Sequence, residues 1–101
     1  MKIEQGDLLK VQGLSYPVMV VSNTYFNQTG KCIVCPILKN AEEGPVHIRV
    51  QSKKIEGVVL CEQVRFIDLM KRSFSKIDSS SFFAVMDISD AVMGIFDYQM
   101  D

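Results

Sequence analysis

The sequence predicts a mainly β domain closed by one C-terminal helix, and three observations carry that prediction. Short runs rich in Val, Ile and Leu recur between Gly, Pro, Asn and Asp turn signals, as at Leu8–Gln12, Val18–Val21, Cys32–Leu38 and Val58–Leu60. Val46–Val50 alternates strictly, its three apolar positions separated by His47 and Arg49. Helical spacing appears in the stretch that follows the polar cluster Asp78-Ser79-Ser80-Ser81.

Each element has its local reason. Gly6-Asp7 is a turn that opens the first strand, and Gly13-Leu14-Ser15 is a tight connection to the second. Pro17 lacks a backbone donor, so it belongs at a strand start or an edge. Val18–Val21 is continuously apolar, which predicts a strand enclosed on both faces. Ser22–Gly30 is a loop with room for one helical turn capped by Ser22 or Asn23. Cys32–Leu38 is a third strand, Lys39–Pro45 an exposed loop, and Gln51–Glu56 a turn with Lys53 and Lys54. Leu69–Ile77 reads as a further strand, alternating from Phe74 onward. The closing helix starts at the Asp78–Ser81 caps and runs to about Tyr98. Phe82, Val85, Met86, Ser89, Val92, Met93 and Phe96 fall at three- and four-residue spacing, one apolar stripe expected to pack on the core.

The 101 residues suit one domain spanning positions 1–101. Apolar residues make up 48% and charged residues 23%, ordinary values for a soluble globular protein. A net charge of −1 excludes a global field that would gather nucleic acid, so any such binding needs a local basic patch. No apolar run is long enough to span a membrane and no signal-peptide pattern opens the chain, so a cytoplasmic home is expected. Cys32, Cys35 and Cys61 make no disulfide framework. Residues three apart on a strand point to opposite faces, so Cys32 and Cys35 are expected to be small buried hydrophobes rather than metal ligands. No metal and no cofactor are expected.

The most informative stretch is Gly57–Asp68, where the apolar run Val58-Val59-Leu60 meets Glu62, Gln63, Arg65 and Asp68. Polar groups at the end of a buried strand must find partners or water, because burying one unpaired costs about 1–3 kcal/mol. Two readings stand side by side: an ion pair between Glu62 and Arg65 that fixes a corner, or a functional cluster. His47 is likewise either an exposed strand residue or, with Arg49, a small cationic spot suited to a phosphate.

The block Gly57–Asp68 resembles the "GVVxC(D/E)QxRxID" segment of the MazF/PemK toxins, the ribonuclease partners of small toxin–antitoxin pairs. Gly6-Asp7-Leu8-Leu9 resembles their opening "GD" strand, and Tyr16–Asn23 resembles their "RPxLVVSN". Phe26-Asn27 and Thr29-Gly30 with Ile33–Ile37 resemble "FNxxTGxxIVxPIT", and the tail resembles their closing helix. The resemblance implies a small SH3-like barrel of the CcdB/PemK type with a C-terminal helix, a homodimer, and a small acidic antitoxin as partner. It also implies single-stranded RNA as substrate, cut without a metal.

Metal-free RNA cleavage by the ribose 2′-hydroxyl needs a base, an acid and a cation or donors facing the phosphate. In the family the resemblance places an Arg where this chain has Tyr16 and a Thr where it has Leu38, while the acidic position is kept as Glu62. The family's long RNA-holding first loop is reduced to Gln12-Gly13-Leu14-Ser15. Candidate catalytic residues are therefore Glu62, Tyr16 and His47, and candidate RNA-binding residues are Arg49, Arg65 and Gln63. Tyr16 brings no permanent cation and Leu38 no donor. Weak or lost cleavage is the expectation; the alternative is a non-catalytic homologue that binds antitoxin or nucleic acid.

Overall fold

The strand that organises the molecule is β3, Lys31–Leu38, because both of its edges are filled and one of them is filled twice. On one side it pairs with β2 (Val18–Val20), which continues to β1 (Asp7–Val11) and β7 (Phe74–Ser79). On the other side its first half, Lys31–Val34, pairs with β6 (Arg65–Asp68). Its last two residues pair instead with β5 (Glu56–Leu60), which carries β4 (His47–Gln51) at the outer edge. The computed structural model describes residues 2–99; Met1, Met100 and Asp101, part of the expected domain 1–101, lie outside the described residues.

Pro36 sits where the two partners of that edge part company. Ile37 donates to Pro17 O at 2.9 Å, toward β2. Alternation then turns the nitrogen of Pro36 toward the gap between β6 and β5, the place where a ladder has no use for a donor. The connecting residues 61–64 turn through the same gap, and this brings the polar block back across the middle of β3.

Because the side chains alternate, the sheet carries a core on each face. Leu9, Val11, Val18, Val20, Cys32, Val34 and Ile67 fill one side, flanked by Leu14, Tyr16, Leu69 and Phe74. Leu8, Met19, Cys35, Ile37, Val50, Val59 and Cys61 fill the other, where the helix α2 (Phe82–Ile95) inserts Ile88. The expectation for Val18–Val21 holds for β2, whose three residues are all buried between the two layers. Cys32 and Cys35 lie in opposite layers, as the strand geometry requires, and all three cysteines are free and buried. Burial pushes the thiols up, to about 11 for Cys32 and Cys61 and about 12 for Cys35.

Three expectations need correction. Seven strands form among the described residues, and the strand expected over Leu69–Ile77 is shorter: Arg65–Asp68 is a strand in its own right while Leu69–Ser73 is a turn. Arg65 and Phe66 are both exposed, so no apolar pattern announces β6; pairing with β3 makes it. The closing helix is capped by Ser81, whose Oγ accepts from Ala84 N at 3.2 Å, and it ends at Ile95 rather than Tyr98. Its packed face is Ala84, Val85, Ile88, Ala91 and Val92. That face is turned by about 100°, one residue step, from the predicted stripe, and Phe82, Met86, Met93 and Phe96 are left exposed. The short helix α1 (Thr24–Asn27) is capped by Asn23, one of the two residues expected for it.

Gly57 has a packing reason. A Cβ there would stand 2.7 Å from Ile37 Cγ2 and 3.2 Å from the Leu38 carbonyl oxygen. Ile37 is buried and Leu38 O is backbone, so neither yields freely. Gly57→Ala is expected to destabilise the fold by about 1–3 kcal/mol, read as a lower urea midpoint at fixed protein concentration.

Candidate functional site

Two polar constellations gather around the corner between β5 and β6. The first is a cleft of ≈ 250 Å³ lined by Tyr16, Val18, Val34, Pro36, Gln63, Val64 and Arg65. Its geometry follows from the register: Val18 is opposite Pro36, and Val34 is opposite Arg65. Tyr16, two residues before β2, and Arg65, the first residue of β6, thereby face each other across β3. Tyr16 is half-buried and packs on the core beneath it, while Arg65 is exposed. Among the described residues Arg65 has no ion-pair partner. The cleft thus offers a phenol, an amide and an uncompensated guanidinium.

The second constellation is a couple between His47 and Glu62. His47 Nε2 lies 2.9 Å from Glu62 Oε2 and 3.0 Å from Oε1, and Nδ1 lies 3.1 Å from Glu42 O. Both ring nitrogens therefore face acceptors, an arrangement fully satisfied only when both carry a proton. The hydrogen bond to the Glu62 carboxylate raises the His47 pKa above 6.5; desolvation opposes it, and the Glu42 carbonyl adds to it. The same bond lowers Glu62 below its ordinary value, with the Gln63 side chain assisting.

The sign of the pH effect follows. His47, raised in the folded state, contributes stability that is present below the ordinary histidine value and fades as pH rises through the folded one. Glu62, lowered, contributes above the ordinary carboxylate value and fades as pH falls. The couple is complete between about pH 4.5 and 6.5, the two ordinary values. In an NMR titration the ring protons of His47 are expected to show a midpoint above 6.5 that falls back in Glu62→Gln; an unchanged midpoint would show that the carboxylate does not hold the ring.

The structure rearranges two sequence expectations. Glu62 pairs with His47 and not with Arg65, because Arg65 departs along β6 while Glu62 turns back toward β4. The expected cationic spot of His47 with Arg49 is compensated: Arg49 Nε bonds Glu43 Oε2 at 3.0 Å, and Glu62 and the Glu42 carbonyl occupy the histidine. Of the candidate residues, Tyr16, Gln63 and Arg65 meet in the cleft, Glu62 and His47 meet beside it, and Arg49 joins neither. The sequence reading missed the partners Glu42 and Glu43; an acid six residues before an Arg carries no local signal of the pairing. Leu38 ends β3 opposite Val58, half-buried and without a polar atom in its side chain. No group of three or more side chains that could hold a metal occurs among the described residues, and no helix among them is long and apolar enough to cross a membrane.

A curled antiparallel sheet with this strand order and a C-terminal helix on one face is the fold of the MazF toxins. The crystal structure of MazE–MazF from Deinococcus radiodurans superposes with a TM-score of 0.85 at 19% identity, covering 95% of this chain and 97% of that one. An endoribonuclease in complex with its cognate antitoxin, from a mycobacterial species, gives 0.82 at 13% identity over 98% and 99% of the two chains. In sequence, the endoribonuclease toxin ChpB of Escherichia coli K12 is 31% identical over 91 residues, 75% of this chain and 78% of ChpB. Residues 7–96 match the model of the PemK-like, MazF-like toxins of type II toxin–antitoxin systems, and the chain belongs to that family. The SH3-like barrel fold expected from the resemblance is thereby borne out.

Proposed function

We propose that this chain acts as a single-domain toxin that holds single-stranded RNA across the Tyr16–Arg65 cleft and cleaves it weakly or not at all. It works as a homodimer in the cytoplasm, restrained by a small acidic antitoxin. The observation that carries the reading is the composition of the cleft and of the end of β3. Tyr16 stands where the family resemblance places an arginine, and the half-buried Leu38 stands where it places a threonine. Arg65 and Gln63 remain to contact a phosphate and a base edge, which supports binding. Residual chemistry, if it is present, falls to the His47–Glu62 couple, with the imidazolium as acid for the leaving oxygen and Tyr16 as donor to the phosphate. The complexes of the MazF and mycobacterial relatives with their antitoxins support the antitoxin partner.

The test is direct. A long RNA incubated with purified protein in EDTA is expected to yield few or no discrete fragments ending in cyclic phosphate. Efficient cleavage abolished by His47→Ala or Glu62→Ala would instead place a working site at the couple. Efficient cleavage that survives both changes would remove the couple from the chemistry altogether.

A second reading is a non-catalytic homologue that binds antitoxin. The exposed apolar face of α2, with Phe82, Phe83, Met86, Met93 and Phe96, favours it. The neighbouring gene separates the two: a lone gene with no short acidic protein encoded beside it favours this second reading, and such a neighbour favours the toxin.

A further inference from the structure

The turn after β6 places a second arginine beside the shortened first loop. Gln12 N donates to Ser73 O at 2.9 Å, and Ser73 N donates to Gln12 Oε1 at 3.4 Å, so residues 71–73 run alongside the start of the β1–β2 loop. Gly13 follows with φ +91°, a conformation that residues with side chains adopt only under strain. A Cβ at Gly13 would stand 3.8 Å from Arg72 Nη1, so the guanidinium lies over the bare turn. Nη1 is buried there without a hydrogen-bond partner among the described residues.

A buried, unpartnered guanidinium nitrogen is costly, and the neighbourhood offers it nothing. The ion pairs of the described residues join His47 to Glu62, Arg49 to Glu43 and Lys76 to Asp7. Asp68, four residues back, turns Oδ1 to the Met70 amide at 3.0 Å. The segment 69–75 holds Lys71 and Arg72 and no acid. Arg72 is therefore a cation with an unmet demand for an oxyanion, set at one end of the loop whose other end carries Tyr16.

We propose that Arg72 is a phosphate-binding residue for RNA, reached when the side chain leaves the Gly13 turn and takes a backbone phosphate of a strand that continues from the Tyr16–Arg65 cleft. Two arginines then flank the short loop, Arg65 at the cleft and Arg72 over Gly13. Guanidinium groups suit this task because their fork matches phosphate oxygens in bidentate fashion. A cationic track along the backbone, beside a cleft that takes one nucleotide, is the usual arrangement for single strands. The proposal rests on RNA binding at the cleft and adds the direction in which the strand leaves it.

The experiment is fluorescence anisotropy with a labelled, uncleavable 2′-deoxy-substituted strand, titrated at several salt concentrations. Arg72→Gln is expected to weaken binding roughly ten- to a hundred-fold, equally for strands of different sequence. The slope of log affinity against log salt is expected to fall by about 0.7, the counterions released by one single-strand phosphate contact. Arg72→Lys should keep the slope while losing part of the affinity. Thermal melts of each variant separate a folding defect, which lowers the melting temperature without altering the slope of the remaining folded protein. Wild-type protein that fails to bind the strand sinks the cleft reading and this one together. Wild-type binding with the same affinity and slope in Arg72→Gln sinks this inference alone. Unchanged RNA binding with weakened capture of an acidic peptide would assign Arg72 to a protein partner and likewise overturn it.

Discussion

Tyr16→Arg combined with Leu38→Thr is expected to raise RNA cleavage by about a hundred- to a thousand-fold for each transition-state donor that the change restores. The argument is geometric as well as chemical. Position 16 lines the cleft opposite Arg65, so an arginine there reaches the place proposed for a phosphate between them. Position 38 lies at the end of the strand that floors the cleft, and threonine there supplies a hydroxyl where the side chain now has none. Leu38 is only half-buried, so its replacement costs less than a core truncation. The measurement is the initial rate of cyclic-phosphate formation in EDTA, with each single variant beside the double one. A double variant no faster than wild type would move the deficiency to the shortened loop Gln12–Ser15.

The largest stability effect is expected at Asp7. Its side chain is 3% exposed, with Oδ1 3.1 Å from Lys76 Nζ and Oδ2 accepting from Glu4 N at 2.9 Å. The carboxylate thus ties the chain entry to β7 at the point where the β1–β7 register shifts between Leu8 and Leu9. Asp7→Ala removes both partners from a buried position and leaves the Glu4 amide without its acceptor. Lys76 is 47% exposed and returns to water, which keeps the loss below that of a fully buried pair. About 2–3 kcal/mol is expected, or roughly 10–20 °C in Tm for a domain of this size. Asp7→Asn should lose less, because its amide oxygen still accepts from Glu4. Urea melts in which Asp7→Ala differs from wild type by under about 0.5 kcal/mol would show that the pair is not structural.

What was legible in the sequence was what is local. Strict alternation gave β4 within a residue at each end, because period 2 has no competing reading over five residues. The cysteines were assigned to the interior once strand geometry and the lack of a second cysteine pair had set aside a metal site. The cluster Asp78–Ser81 marked the start of α2, and its last residue is the cap, because a cap needs only the residues that follow it. The failures are all matters of distant partners. β6 exists because β3 has a vacant half-edge, and nothing in Arg65-Phe66-Ile67-Asp68 reports that vacancy. Glu62 is 15 residues from His47 and three from Arg65, so nearness in the chain favoured the wrong pair. On α2 the bulky stripe looked like the core face, yet the sheet accepts the neighbouring one, where Ala84 and Ala91 let the helix approach closely around Ile88. The candidate site was legible as a set of residues and not as an arrangement: the block announced Glu62, Gln63 and Arg65 together, and the fold parted Glu62 from Arg65.

The three interior thiols have a consequence for how the toxin meets oxidative stress. Oxidants and alkylating agents attack thiolate, and a thiol held near 11 or 12 supplies almost none at neutral pH. Enclosed in two separate layers of a sheet, Cys32 and Cys35 cannot meet to form a disulfide without dismantling β3. Sulfenic acid formation therefore has no entry except through transient opening of the strands. Peroxide thus leaves the cysteines of the folded toxin unmodified, and the rate at which they react counts how often the sheet comes apart.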